Sequence, residues 1–196
     1  MDQLLFVLLM VINLGISFWN ARVCGQCWVE AKAVGGFIRL LVWCGAIQSA
    51  IGFSMIIIVL MALIGGPYLP PEVTKLMLSL WYLMIIVPAL GTGFIITVHS
   101  WIMAYRERSL ANLGAAGWNT FASAYNTYNA VSGIGQVWEN VTDGLFSGDG
   151  DNKGAMLAIL LVVIALCGGI LITTMIIKHY AGTVPIPEQL KNRRIR

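Results

Sequence analysis

Apolar residues dominate four stretches of the chain, at about residues 4–23, 37–64, 72–101 and 155–178. A helix needs about 20 such residues to cross roughly 30 Å of hydrocarbon, and the last three stretches reach that length. The apolar part of the first, Leu4 to Trp19, is short for a complete span. The run 37–64 carries one charge, Arg39, at its start, and 76–98 carries none. Between them stands Gly65-Gly66-Pro67-Tyr68-Leu69-Pro70-Pro71, which cannot continue either helix. The pattern predicts a transmembrane helical hairpin whose second helix begins near Pro70 or Pro71. Pro88, followed by Gly91-Thr92-Gly93, predicts a kink or local break within that helix.

The first stretch differs at its far end. Residues 20–33 contain good helix formers and no proline, so the helix is expected to run past the bilayer surface. Gly35-Gly36 supplies a stop, because glycine adopts the left-handed cap without penalty. Asp2 stands where a signal peptide would be basic, and no small-x-small site follows Trp19, so a retained first span is expected.

Residues 109–138 contain no charge at all. Trp118, Phe121, Tyr125 and Tyr128 recur at helical spacing on one face, with Asn119, Ser123 and Asn126 on another. We expect an amphipathic segment over 109–146, lying in the membrane interface or packed against a partner. The lack of lysine on its polar face favours protein contact there. Ser132-Gly133-Ile134-Gly135 predicts a break, with a short helix at 136–146 and a flexible loop at Ser147-Gly148-Asp149-Gly150-Asp151-Asn152.

Composition agrees with the pattern. The chain is 58% hydrophobic and 11% charged, with a mean hydropathy of +0.80. Soluble domains are about a quarter charged. The expected fold class is all-α: one polytopic membrane domain, 1–196, with four spans and a basic tail at 179–196. The net charge of +3 does not suggest nucleic-acid binding. Its basic cluster, Lys191-Asn192-Arg193-Arg194-Ile195-Arg196, suits anionic lipid head groups. With four spans, Lys75, Lys178, Lys191, Arg193, Arg194 and Arg196 fall on one side; Arg22, Lys32, Arg39, Arg106, Arg108 and Lys153 fall on the other. Six against six is a tie under the positive-inside rule, and proximity to the first span tips it towards the second set as cytoplasmic.

Candidate chemistry is sparse. Cys24-Gly25-Gln26-Cys27 is a C-x-x-C pair, close enough in sequence to form a reversible disulfide. The layout resembles the DsbB family of disulfide-forming membrane enzymes, with a C-x-x-C between the first two of four helices and an amphipathic stretch between the last two. That resemblance implies Cys24 and Cys27 as a redox pair and Arg39 beside a quinone. The chain departs from the family at 104–154, where a second cysteine pair is expected and no cysteine stands. Cys44 and Cys167 lie within spans, where cysteine acts as a small hydrophobe.

Coupled transport needs ionisable groups inside the spans, and these offer Asn13, Gln48, Ser49, Ser54, Thr92, Thr97 and His99. Gly45, Ser49 and Gly52, Gly91 and Gly93, and Gly168 and Gly169 permit close helix approach within a bundle or between subunits. Asp149-Gly150-Asp151-Asn152 lacks the later ligands of a calcium loop, and Asn140-Val141-Thr142 matches an N-glycosylation acceptor. No catalytic, cofactor or metal set is expected.

The function that fits is a non-enzymatic membrane subunit that anchors or builds a larger assembly. A secretion or conjugation apparatus in a bacterial inner membrane, or a virion membrane, would be the setting. Its partners would be the lipid bilayer and copies of itself or other membrane subunits. The alternatives are a thiol–disulfide oxidoreductase using Cys24 and Cys27, and a pore-forming, holin-like oligomer.

Overall fold

The computed structural model describes residues 3–146, 152–181 and 183. Of the loop expected at 147–152, residues 147–151 lie outside them, and Asn152 opens a helix instead of closing the loop. Of the basic tail expected at 179–196, residues 182 and 184–196 lie outside them. The elements are α1 (Gln3–Val34), α2 (Gly36–Gly65), α3 (Pro71–Glu107), α4 (Leu110–Phe146) and α5 (Asn152–Tyr180). Of these, α1, α2, α3 and α5 are long and apolar enough to cross a membrane. The all-helical fold is therefore compatible with an integral membrane protein.

The turns follow from their residues. Gly35 and Gly36 have φ of +69° and +57°, and the Gly35 N–H donates to Ala31 O at 3.0 Å. Two left-handed residues in succession suit glycine alone. After α2, the N–H groups of Tyr68 and Leu69 both donate to Gly65 O, at 2.8 and 2.7 Å. Pro70 caps α3 and Pro71 opens it, where the missing N–H costs nothing. Between α3 and α4 the chain turns on Arg108 and Ser109. Arg108 takes the left-handed conformation and its N–H donates to Ala104 O. Ser109 Oγ accepts the Asn112 N–H at 3.1 Å, an N-cap bond, while Asn112 Nδ2 donates to Glu107 Oε2 at 2.6 Å.

The break allowed for at Pro88 and the one expected at 132–135 are both absent. α3 continues through Pro88 without a break, and the Thr92 hydroxyl donates to the Pro88 carbonyl at 2.6 Å. α4 is one helix of 37 residues, not two pieces divided at 132–135. Glycine in a helix costs about 1 kcal/mol relative to alanine, which contacts beyond the glycines can offset. Here Asn140 Nδ2 donates to Ser79 Oγ and Gly144 abuts Leu76, so the far end of α4 stays in line with α3.

The chain forms two compact units, one of residues 1–56 with 168–196 and one of residues 57–167. In the first, contacts descend α2 as they ascend α1. Asn13 Nδ2 donates to Gly52 O, Ser49 Oγ to Ser17 O, and Cys24 Sγ to Val42 O. α1 and α2 are therefore antiparallel. Gly169 abuts Ala50 and Ser54, Thr173 bonds Ser49, and Ile177 packs among Cys24, Val42 and Ala46. α5 thus runs against α2 and along α1.

In the second unit α3 and α4 form a long antiparallel hairpin. Its rungs run from Glu107–Asn112 at the turn, through Trp101–Thr120 and Thr97–Ser123, to Ser79–Asn140. At 1.5 Å per residue, each arm is about 55 Å long.

The Ser109 cap generates a prediction. Ser109→Ala is expected to cost about 1 kcal/mol of stability. Denaturant titration in detergent checks this; an unchanged midpoint would show that the cap bond does not hold the turn.

Candidate functional site

Short polar side chains and bare glycines hold the first unit together. Ser49 is fully buried; its hydroxyl donates to Ser17 O at 2.6 Å and receives the Thr173 hydroxyl at 3.4 Å. A Cβ on Gly52 would collide with the Ser17 hydroxyl and meet Asn13 Oδ1 at 3.3 Å. One on Gly169 would strike Ala50 O and sit 2.8 Å from the Ser54 nitrogen. One on Gly45 would lie 2.7 Å from Cys24 Sγ. These glycines let α1 and α5 approach α2 closely enough for short side chains to reach across. In hydrocarbon, groups bonded this way need no water.

The other small residues behave differently. Gly168 is half-buried beside Gly169. Gly93 is half-buried, and its carbonyl accepts the Thr97 hydroxyl at 2.9 Å. Gly91 is exposed, and a Cβ there would meet nothing within 4 Å. It lies on the outward stripe of α3 with Val87 and Phe94, so it takes no part in packing within the chain.

Cys24 and Cys27 lie within unbroken α1, not in a connection between helices. All four cysteines are free. Cys24 is buried with its thiol on Val42 O, and Cys27 packs with Trp28 against the same core. The Cys24 thiol so placed can meet a substrate only if α1 and α2 part, whereas Cys27 is half-buried.

α4 divides into two faces. The inner face meets α3: Asn119 Nδ2 donates to Ser100 Oγ at 2.6 Å, and Trp101 Nε1 donates to Thr120 Oγ1 at 2.9 Å. Thr97 Oγ1 lies 2.7 Å from Ser123 Oγ and 3.1 Å from the Asn119 carbonyl. The outer face exposes Trp118, Phe121, Tyr125, Tyr128, Val131 and Trp138. The Phe121 and Tyr125 rings stack at 6.2 Å. Asn126 is exposed, with no side-chain hydrogen bond among the described residues.

At the open end of this hairpin, Glu72 and Lys75 of α3 share a cavity of about 460 Å³ with Asn140 and Asp143 of α4 and Gly154 of α5. The charged ends of these helices therefore stand together. Among the described residues, no three His, Cys, Asp or Glu side chains converge as a metal site would require.

Sequence reasoning missed the partners of these residues: Asn13, Ser17 and Thr173 in one unit, and Ser79, Ser100 and Trp101 in the other. Their signal was present as small polar residues at helical spacing inside apolar runs, which marks a contact face without naming its mate.

Two substitutions separate the glycine environments. Gly169→Val should destabilise the protein by about 1–3 kcal/mol through overpacking. Gly91→Ala should be neutral or stabilising by up to about 1 kcal/mol. Thermal unfolding in detergent checks both, and equal effects would contradict the placement of α5 on α2. No protein-family model, curated protein or solved structure matches the chain.

Proposed function

We propose that the protein is a non-enzymatic integral membrane subunit that builds a larger assembly by associating with copies of itself through α4. The observation that carries this reading is the outer face of α4. That face presents a continuous run of exposed aromatic rings, and the exposed Asn126 makes no side-chain hydrogen bond among the described residues. An amide without a hydrogen-bond partner in apolar surroundings costs several kcal/mol. The same amide facing a second subunit gains a partner, and interhelical bonds of this kind contribute about 1 kcal/mol in membranes. Gly114, Gly117 and Gly135 also open onto empty space on α4, which gives a facing helix room to approach.

The rest of the chain suits a scaffold. The glycine and serine seam of α1, α2 and α5 serves packing, and Cys24 is enclosed within it. The bilayer is the first partner, with the basic residues of 191–196 on anionic head groups and further membrane subunits at the edges of the assembly. A bacterial inner membrane or a virion membrane is the setting this reading expects.

Native mass spectrometry after mild solubilisation tests it. The wild type should appear as an oligomer of fixed stoichiometry. Asn126→Leu should weaken self-association by roughly fivefold, the equivalent of about 1 kcal/mol. A wild type that remains monomeric at every detergent ratio would overturn the reading.

A further inference from the structure

We infer that α4 crosses the bilayer beside α3, so that the chain spans the membrane five times and its basic face is cytoplasmic. This inference does not depend on self-association. It rests on helix direction, matched charge-free lengths and the placement of the basic residues.

Direction comes first. α1 and α2 are antiparallel, so α2 ends on the membrane face where α1 begins. α5 runs against α2, as the order Gly169 on Ala50, Thr173 on Ser49 and Ile177 beside Ala46 requires. α5 must therefore start on the face where α2 ends. α3 starts on that same face, after the short proline turn, and one crossing carries it to the other side. Among the described residues only α4 lies between α3 and α5, and the five residues 147–151 are too few to span roughly 30 Å. Thus α4 has to bring the chain back. With four crossings α5 would run parallel to α2, which those contacts forbid.

The hairpin has the dimensions for this. Residues 76–105 of α3 and 109–138 of α4 each form a thirty-residue run without Lys, Arg, Asp or Glu. Each run is about 45 Å long at 1.5 Å per residue, enough for the roughly 30 Å hydrocarbon core and part of both interfaces. Charge returns at matching ends, with Arg106, Glu107 and Arg108 at the turn. At the opposite end, Glu72, Lys75 and Asp143 line one cavity. A helix joined lengthwise to a crossing helix by bonds from Asn112 to Asn140 cannot also lie flat in the interface.

Most of the short polar groups at the middle of α4 are provided for, Asn126 excepted. Asn119, Thr120 and Ser123 bond to α3, while Thr120, Thr127 and Ser132 donate to carbonyls of their own helix. Turned this way, α4 has its polar face on protein and its rings on lipid or a neighbouring subunit. Part of the low hydropathy of α4 resides in side chains that α3 satisfies, namely Asn119, Thr120, Ser123 and Asn140.

The charges then sort themselves. With α4 crossing, Lys178 and the basic residues of 191–196 join the α1–α2 and α3–α4 turns, and only Lys153 moves the opposite way. The tie of six against six becomes ten against two. Such a bias places the ten on the cytoplasmic side.

Protease protection of full-length protein tagged before Gln3 and after Arg196, in intact cells and after lysis, tests the inference. The first tag should be cut from outside, while the second is protected until the membrane is opened. Tags on the same face would overturn the fifth crossing. Tags on opposite faces with the second outside would overturn the assignment of the basic face.

Discussion

Hydrocarbon offers no hydrogen-bond partner, and four helices of this chain are long and apolar enough to lie in it, so their polar side chains depend on one another. Helices satisfy the backbone, but each serine, threonine or asparagine within a span needs a mate. Short side chains reach one only where helix axes come close, which is why polar residues and bare glycines occur together. Ser49 bonds Ser17 because Gly52 and Gly45 let α1 approach α2. Thr173 reaches Ser49 because Gly169 lets α5 sit on the backbone of α2. Larger residues at these glycines would separate the helices and strand the hydroxyls between them.

The α3–α4 hairpin applies the same rule to a more polar helix. In water, α4 would bury its rings and expose its amides. Here Asn119 and Ser123 face α3, while Trp118, Phe121, Tyr125 and Tyr128 face outward. This inversion is stable only if the surroundings are apolar or are supplied by another protein. Under the proposed function, lipid would accommodate the rings and a neighbouring subunit would accommodate Asn126. The two-residue turn at Arg108 and Ser109 fixes the direction of α4, because so short a connection returns the chain along α3.

Spans and turns were legible in the sequence because they depend on local chemistry. Apolar length predicts a crossing, and Gly35-Gly36 and Pro70-Pro71 carry their backbone conformations with them. The face pattern of α4 was legible too, but periodicity identifies two faces without saying which solvent each meets. That ambiguity is why 109–146 reads as an interfacial helix from sequence, and why the basic residues tie. Glycine spacing had the same limit: Gly91 and Gly169 look alike in an apolar run, yet one opens onto space and the other onto a neighbouring backbone. The break expected at 132–135 fails because contacts on both sides of Gly133 and Gly135 keep the helix whole. In each case the missing information was the tertiary partner.

Depth along α4 is the most direct measure of the central claim. Spin labels placed in turn at outward positions from Leu113 to Trp138, in liposomes, would report depth by the ratio of oxygen to water-soluble quencher accessibility. A crossing helix gives a profile that rises to one maximum near Phe121 to Tyr128 and falls towards both ends. A flat, shallow profile over the whole segment would place α4 in the interface and contradict the account.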